Sequence, residues 1–68
     1  MNGVVKTYDP RRGMGELAPD DGSPDVTVFV SEIERAGLAR LSPGDRLSFS
    51  VQSDKMLRRK YAVNLKSI

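Results

Sequence analysis

Asp25-Val26-Thr27-Val28-Phe29-Val30-Ser31-Glu32-Ile33 carries the clearest structural signal in the chain. Up to Val30 the residues alternate with period two, which sets Val26, Val28 and Val30 on one face of an extended strand and Thr27 and Phe29 on the other. The valines are expected to face a core. Ser31-Glu32-Ile33-Glu34 then has the Ser-x-x-Glu spacing of a capping box, and Gly37 follows where a helix of little more than one turn would stop. A strand that runs into a single helical turn is the expectation for this region.

Toward the N-terminus, Gly3 to Tyr8 is rich in β-branched and aromatic residues, and Asp9-Pro10-Arg11-Arg12-Gly13 places proline to open a turn and glycine to close it. Met14 to Ala18 reads as a short second strand, ended by the turn formers Pro19-Asp20-Asp21-Gly22-Ser23-Pro24. Beyond Ser42-Pro43-Gly44, Leu47, Phe49 and Val51 alternate with polar residues across 45–52, the pattern of a half-buried strand whose apolar side joins the core. Ser53 to Arg58 reads as a basic loop. Arg59 to Leu65 reads as a fifth strand with Tyr61, Val63 and Leu65 at alternate positions. Five short strands with one helical turn between the third and fourth fit an all-β, five-stranded antiparallel barrel, closed so that no sheet edge is left open. An SH3-like barrel satisfies the same pattern.

Closure matters because the chain has 68 residues and no Cys. One small domain spanning 1–68 is expected, and at this size the buried fraction of the surface is low, so the fold needs efficient packing where a disulfide cannot help. With 38% hydrophobic and 29% charged residues the chain is expected to fold rather than stay disordered. The absence of Cys and His removes thiolate and imidazole chemistry, so no metal, no cofactor and no catalytic residue is expected. Asp20, Asp21 and Asp25 sit in or beside a turn without a nucleophile–base pair, and an enzyme is not expected. Gly13 and Gly15 read as turn and strand-twist residues, because neither a Lys-Ser or Lys-Thr pair nor a helix follows them as a phosphate loop requires. No apolar run is long enough to span a membrane, and Met1-Asn2-Gly3-Val4 has no leader pattern. A cytoplasmic monomer without a membrane or small-molecule partner is the expectation.

Charge is segregated. Glu16, Asp20, Asp21, Asp25, Glu32 and Glu34 occupy 13–34 without an intervening base, whereas Lys55, Arg58, Arg59, Lys60 and Lys66 crowd 55–68 without an acid. Such a division suits an anionic partner met along one edge, and it equally suits a solvated strand edge kept from aggregating.

Local strings give the pattern a family likeness. Gly3-Val4-Val5-Lys6 resembles the opening Gly-x-Val-Lys of bacterial cold-shock proteins, and Arg12-Gly13-Met14-Gly15-Glu16-Leu17 resembles their first ribonucleoprotein motif, Lys-Gly-Phe-Gly-Phe-Ile. Pro19-Asp20-Asp21-Gly22 is similar to the family turn, and residues 25–33 align without a gap on the second motif, Asp-Val-Phe-Val-His-x-Ser-Ala-Ile. Leu41-Ser42-Pro43-Gly44-Asp45 resembles Leu-x-Glu-Gly-Gln, and Ala62-Val63-Asn64-Leu65 resembles Ala-x-Asn-Val. The resemblance covers nearly the whole chain. It implies the oligonucleotide/oligosaccharide-binding (OB) barrel and a protein that holds single-stranded RNA or DNA on an aromatic sheet face, acting as an RNA chaperone or a regulator of transcription or translation.

Much of that aromatic face is replaced here. Thr7 stands at the family Trp, Met14 and Glu16 at the two Phe positions of the first motif, and Thr27 at the first Phe of the second. Tyr8 replaces a family Phe, Phe29 stands at the family His, and Lys6 and Arg12 keep basic positions. The residues expected to contact a single strand are therefore Lys6, Arg11, Arg12, Arg58, Arg59 and Lys60 for the phosphates and Tyr8, Met14 and Phe29 for the bases. Stacking is worth about 1 to 3 kcal/mol per base, so the lost rings imply weak, salt-dependent binding. Tyr8 also reads as core packing, Phe29 as a ring covered by the basic loop, and Glu16 as a cross-strand partner for Lys6 or an arginine. A barrel retained for protein contact after losing nucleic-acid affinity is the second functional reading.

Overall fold

A computed structural model describes residues 1–56 and 59–68. Five strands and one helix follow in the order β1 (Asn2–Asp9), β2 (Met14–Pro19), β3 (Val26–Phe29), α1 (Val30–Arg35), β4 (Arg46–Asp54) and β5 (Arg59–Ser67). The strands close into a barrel in the order β1-β2-β3-β5-β4, with β4 returning to β1. Neighbours run antiparallel except β3 and β5, which are parallel, Thr27 opposite Tyr61. Closure pairs both edges of every strand in the ring, which is how a chain without disulfides avoids an exposed ladder.

Alternation drives the inside of the barrel. Val5, Leu17, Val26, Val28, Leu47, Phe49, Ala62 and Leu65 point inward, and Ile33 of α1 and Leu41 join the same core. No polar side chain is buried among the described residues. Each of the larger apolar side chains contributes about 1.5 to 3 kcal/mol by leaving water, and this burial opposes the entropy of ordering the chain. Val51, expected with Leu47 and Phe49 in the core, lies half-buried against it near the end of β4. That strand runs on through Ser53 and Asp54, so the connection to β5 is shorter than the basic loop expected from Ser53 onward.

Two irregularities break strict alternation. In β1 the register with β2 shifts between Val5 and Thr7, so Lys6 and Thr7 both lie exposed and Tyr8 returns to the core side. Gly15 lies opposite Tyr8, where a Cβ would stand 2.5 Å from the Thr7 carbonyl oxygen and 3.2 Å from the Tyr8 ring. In β5 the register with β4 shifts opposite Ser48 to Ser50, and Asn64 takes a positive φ of 53°. Ala62, Val63 and Leu65 are consequently buried while Tyr61 faces out, which corrects the simple alternation of Tyr61, Val63 and Leu65. The extra residue of the bulge inverts the pattern on its two sides.

The helix begins two residues earlier than its sequence signal. Phe29 is the N-cap and Val30 the first helical residue, so Ser31 already lies inside the first turn and the expected capping box does not form. Val30 is half-buried in the helix rather than a third inward valine of β3. Its N–H donates to the Gly13 carbonyl at 2.8 Å, which satisfies a helix-end donor and ties α1 to the β1–β2 turn. The other end follows the glycine. Gly37 has φ of 77°, its N–H donates to the Glu34 carbonyl at 3.0 Å, and the Leu38 N–H donates to Ile33 at 3.1 Å. This pair of bonds is the Schellman arrangement, with Leu38 packed onto the core.

Candidate nucleic-acid interface

Register places one row of side chains across all five strands on the outside of the barrel. Thr7 is opposite Glu16, Glu16 opposite Thr27, Thr27 opposite Tyr61 and Tyr61 opposite Gln52. Two residues along β2 and β3, Met14 is opposite Phe29. The bulge in β5 brings Tyr61 onto this surface, where it meets Phe29 edge to face with ring centroids 6.1 Å apart and planes at 60°. The Tyr61 hydroxyl donates to Gln52 Oε1 at 3.1 Å, which fixes the ring at the end of the row. Both rings are half-buried, so each keeps an accessible surface.

Beside the rings lies a hollow of about 580 Å³ whose lining includes the cations Arg12 and Arg59, the carboxylates Asp9 and Glu16, and Thr7, Met14 and Thr27. Arg12 comes from the β1–β2 turn and Arg59 from the start of β5, so sequence-distant cations meet over one surface. Among the described residues neither guanidinium is in an ion pair, and both are exposed. Guanidinium groups suit phosphate because their donors form a planar fork.

The other expected site residues are placed differently. Lys6 reaches across β2 to Asp25, Nζ to Oδ2 2.8 Å, rather than to Glu16. Its ammonium is held above the ordinary value of 10.5 by that hydrogen bond first, then by the Asp25 charge, with a smaller contribution from Glu16. Glu16 itself has no ion-pair partner among the described residues, in contrast to the cross-strand bridge expected for it. Arg11 is exposed in the turn, where its backbone N–H donates to Asp9 Oδ1 at 3.0 Å. Lys60 lines a different hollow with Met1, Pro24 and Val51, because the residue between Arg59 and Tyr61 points the other way. Tyr8 packs half-buried on the core. Arg58 lies outside the described residues.

Tyr61 is the surface ring that the sequence reading passed over. Its one local signal is Asn64, since asparagine tolerates a positive φ better than most residues and so marks a place where a strand can bulge.

Residues 1–68 match the protein family described as the 'Cold-shock' DNA-binding domain. The chain is 40% identical over 65 residues to the probable cold shock protein y4cH of Sinorhizobium fredii, covering 96% of this chain and 94% of that protein. It is 35% identical over 66 residues to the cold shock protein CspA of Rhizobium meliloti, covering 97% and 96%. With the cold shock-like protein CspB of Escherichia coli it shares 38% identity over 53 residues, 78% of this chain and 75% of the relative. The barrel, the order of its strands and these similarities agree: the chain belongs to the cold-shock domain family, a family of single-stranded nucleic-acid-binding proteins rather than enzymes.

Proposed function

We propose that this protein binds single-stranded RNA or DNA weakly and with strong salt dependence, on the outer face formed by β1, β2, β3 and β5, and serves as an RNA chaperone or a regulator of transcription or translation. The observation that carries the reading is the Phe29–Tyr61 pair standing beside a hollow rimmed by Arg12 and Arg59. Bases stack on the two rings and on the Met14 thioether, and the guanidinium groups hold phosphates on either side. Thr7, Glu16 and Thr27 offer no stacking surface, and the Glu16 carboxylate repels phosphate, so affinity falls below that of a fully aromatic face. Lys6 contributes less than its sequence position suggests, because Asp25 already holds its charge. The protein acts as a monomer in the cytoplasm on this reading.

Titration of a labelled pyrimidine-rich oligonucleotide at two ionic strengths tests it. Binding at low salt that weakens at the higher ionic strength is expected, with a slope of log affinity against log salt of about −0.7 for each phosphate neutralised. A protein partner captured in a nuclease-insensitive way, together with no oligonucleotide binding at low salt, favours the protein-contact reading that the Thr7, Glu16 and Thr27 row also suits.

A further inference from the structure

The row Thr7–Glu16–Thr27 replaces a base-stacking surface by hydrogen-bonding groups, and its central member is the least expected residue on a face that meets a polyanion. Cross-strand neighbours of this kind stand about 4.5 to 5.5 Å apart at Cβ, so two hydroxyls flank one carboxylate at short range. Glu16 is exposed and has neither a hydrogen bond nor an ion pair with any described residue. A carboxylate accepts only, through two oxygens lying side by side. Any partner it takes from a ligand must therefore present donors.

The neighbouring Met14–Phe29 pair lies two residues along the strands, about 7 Å away, and is apolar and aromatic. A base stacked there extends its edge over the polar row. Single-stranded bases are commonly read this way, with the plane on an aromatic ring and the Watson–Crick edge on polar side chains. The four edges differ in what they offer Glu16. Uracil and thymine present one N–H between two carbonyls, which a carboxylate repels. Cytosine and adenine present one amino group beside a ring-nitrogen acceptor. Guanine alone presents two adjacent donors, N1–H and the 2-amino group, in register with two carboxylate oxygens.

We propose that Glu16 is a specificity-determining residue that selects guanine in a single strand, with the base stacked on Phe29 and its N1–H and 2-amino donors on the Glu16 carboxylate. The inference rests on the binding face described above. Arg12 and Arg59 on the rim of the same hollow engage the flanking phosphates, so the carboxylate meets a base edge while the backbone passes over the cations.

The test uses the whole protein and a short labelled oligouridylate whose central base is replaced in turn by guanine, inosine, cytosine or adenine. The guanine-containing strand is expected to bind about tenfold more tightly than the oligouridylate, a ratio within the range a good bidentate base contact supplies. Inosine lacks the 2-amino group and is expected to lose most of that advantage. Glu16→Gln, whose thermal unfolding serves as the folding control, is expected to abolish the guanine preference and to bind plain oligouridylate at least as well as the parent. Equal binding of the guanine strand and oligouridylate by the parent, or a preference unchanged in Glu16→Gln, overturns the inference and leaves the binding face standing. Failure of every oligonucleotide to bind at low salt overturns the binding face itself.

Discussion

Phe29 and Tyr61, drawn from β3 and from its parallel neighbour β5, meet edge to face with their centroids 6.1 Å apart. The contact exists because a bulge at Asn64 turns Tyr61 outward while Ala62, Val63 and Leu65 stay buried. Replacing either ring by alanine is expected to weaken binding of a short single strand by about 1 to 3 kcal/mol, roughly five- to over a hundredfold. Tyr61→Phe keeps the ring and loses only the bond to Gln52, so it is expected to stay close to the parent. Fluorescence anisotropy of a labelled oligonucleotide separates the three variants.

Lys6, next to Thr7 in β1, is held by Asp25. Asp25→Ala is expected to release it, raising affinity and steepening the slope of log affinity against log salt by about 0.7, the contribution of one further neutralised phosphate. An unchanged slope would show that Lys6 stays clear of the strand even when free. In the parent, deprotonation of Lys6 removes the pairing at high pH. Because the native Lys6 value lies above 10.5, its contribution to stability is complete below 10.5 and disappears as pH rises through the native value.

Backbone contact at Gly15 leaves no room for a side chain. Gly15→Ala is expected to destabilise the barrel by about 1 to 3 kcal/mol, because the Thr7 carbonyl 2.5 Å from the new Cβ has to move and the Tyr8 ring beside it must shift as well. Leu17→Ala, at a fully buried position, is expected to cost about 2 to 5 kcal/mol through lost burial and a residual cavity. Urea unfolding measures both.

In the β2–β3 turn, Asp21 is held below its ordinary value of 3.8 by hydrogen bonds from Ser23, the backbone N–H reaching Oδ1 at 2.9 Å. A depressed native value means that the stabilisation is present above pH 3.8 and is lost as pH falls through the native value. The Asp21 carboxyl carbon, followed by NMR, is expected to titrate with a midpoint below 3.8, and Ser23→Ala is expected to bring that midpoint closer to it.

Much of the barrel is legible in the sequence because its signals are local. Val26 and Val28 alternate inward, the turn formers of 19–24 separate β2 from β3, and Gly37 ends α1 where a left-handed residue is needed. The site is less legible because it depends on register. A single extra residue at Lys6 sends Tyr8 toward the core, and another near Asn64 sends Tyr61 to the surface, so the second ring beside Phe29 is Tyr61 rather than Tyr8. Capping by Ser31 fails for a tertiary reason. The Gly13 carbonyl takes the Val30 N–H, and the helix starts before the serine can cap it. Among the basic residues, adjacency in sequence misleads as well: Arg59 and Lys60 are neighbours on a strand and therefore face opposite sides.

The most direct test of the binding face is a backbone-amide NMR titration of the parent protein with a short single-stranded oligonucleotide at low salt. The largest shifts are expected at Arg12, Met14, Phe29, Arg59 and Tyr61. Shifts confined to the acidic turn of 19–24, with those five residues unmoved, would contradict the proposed binding face.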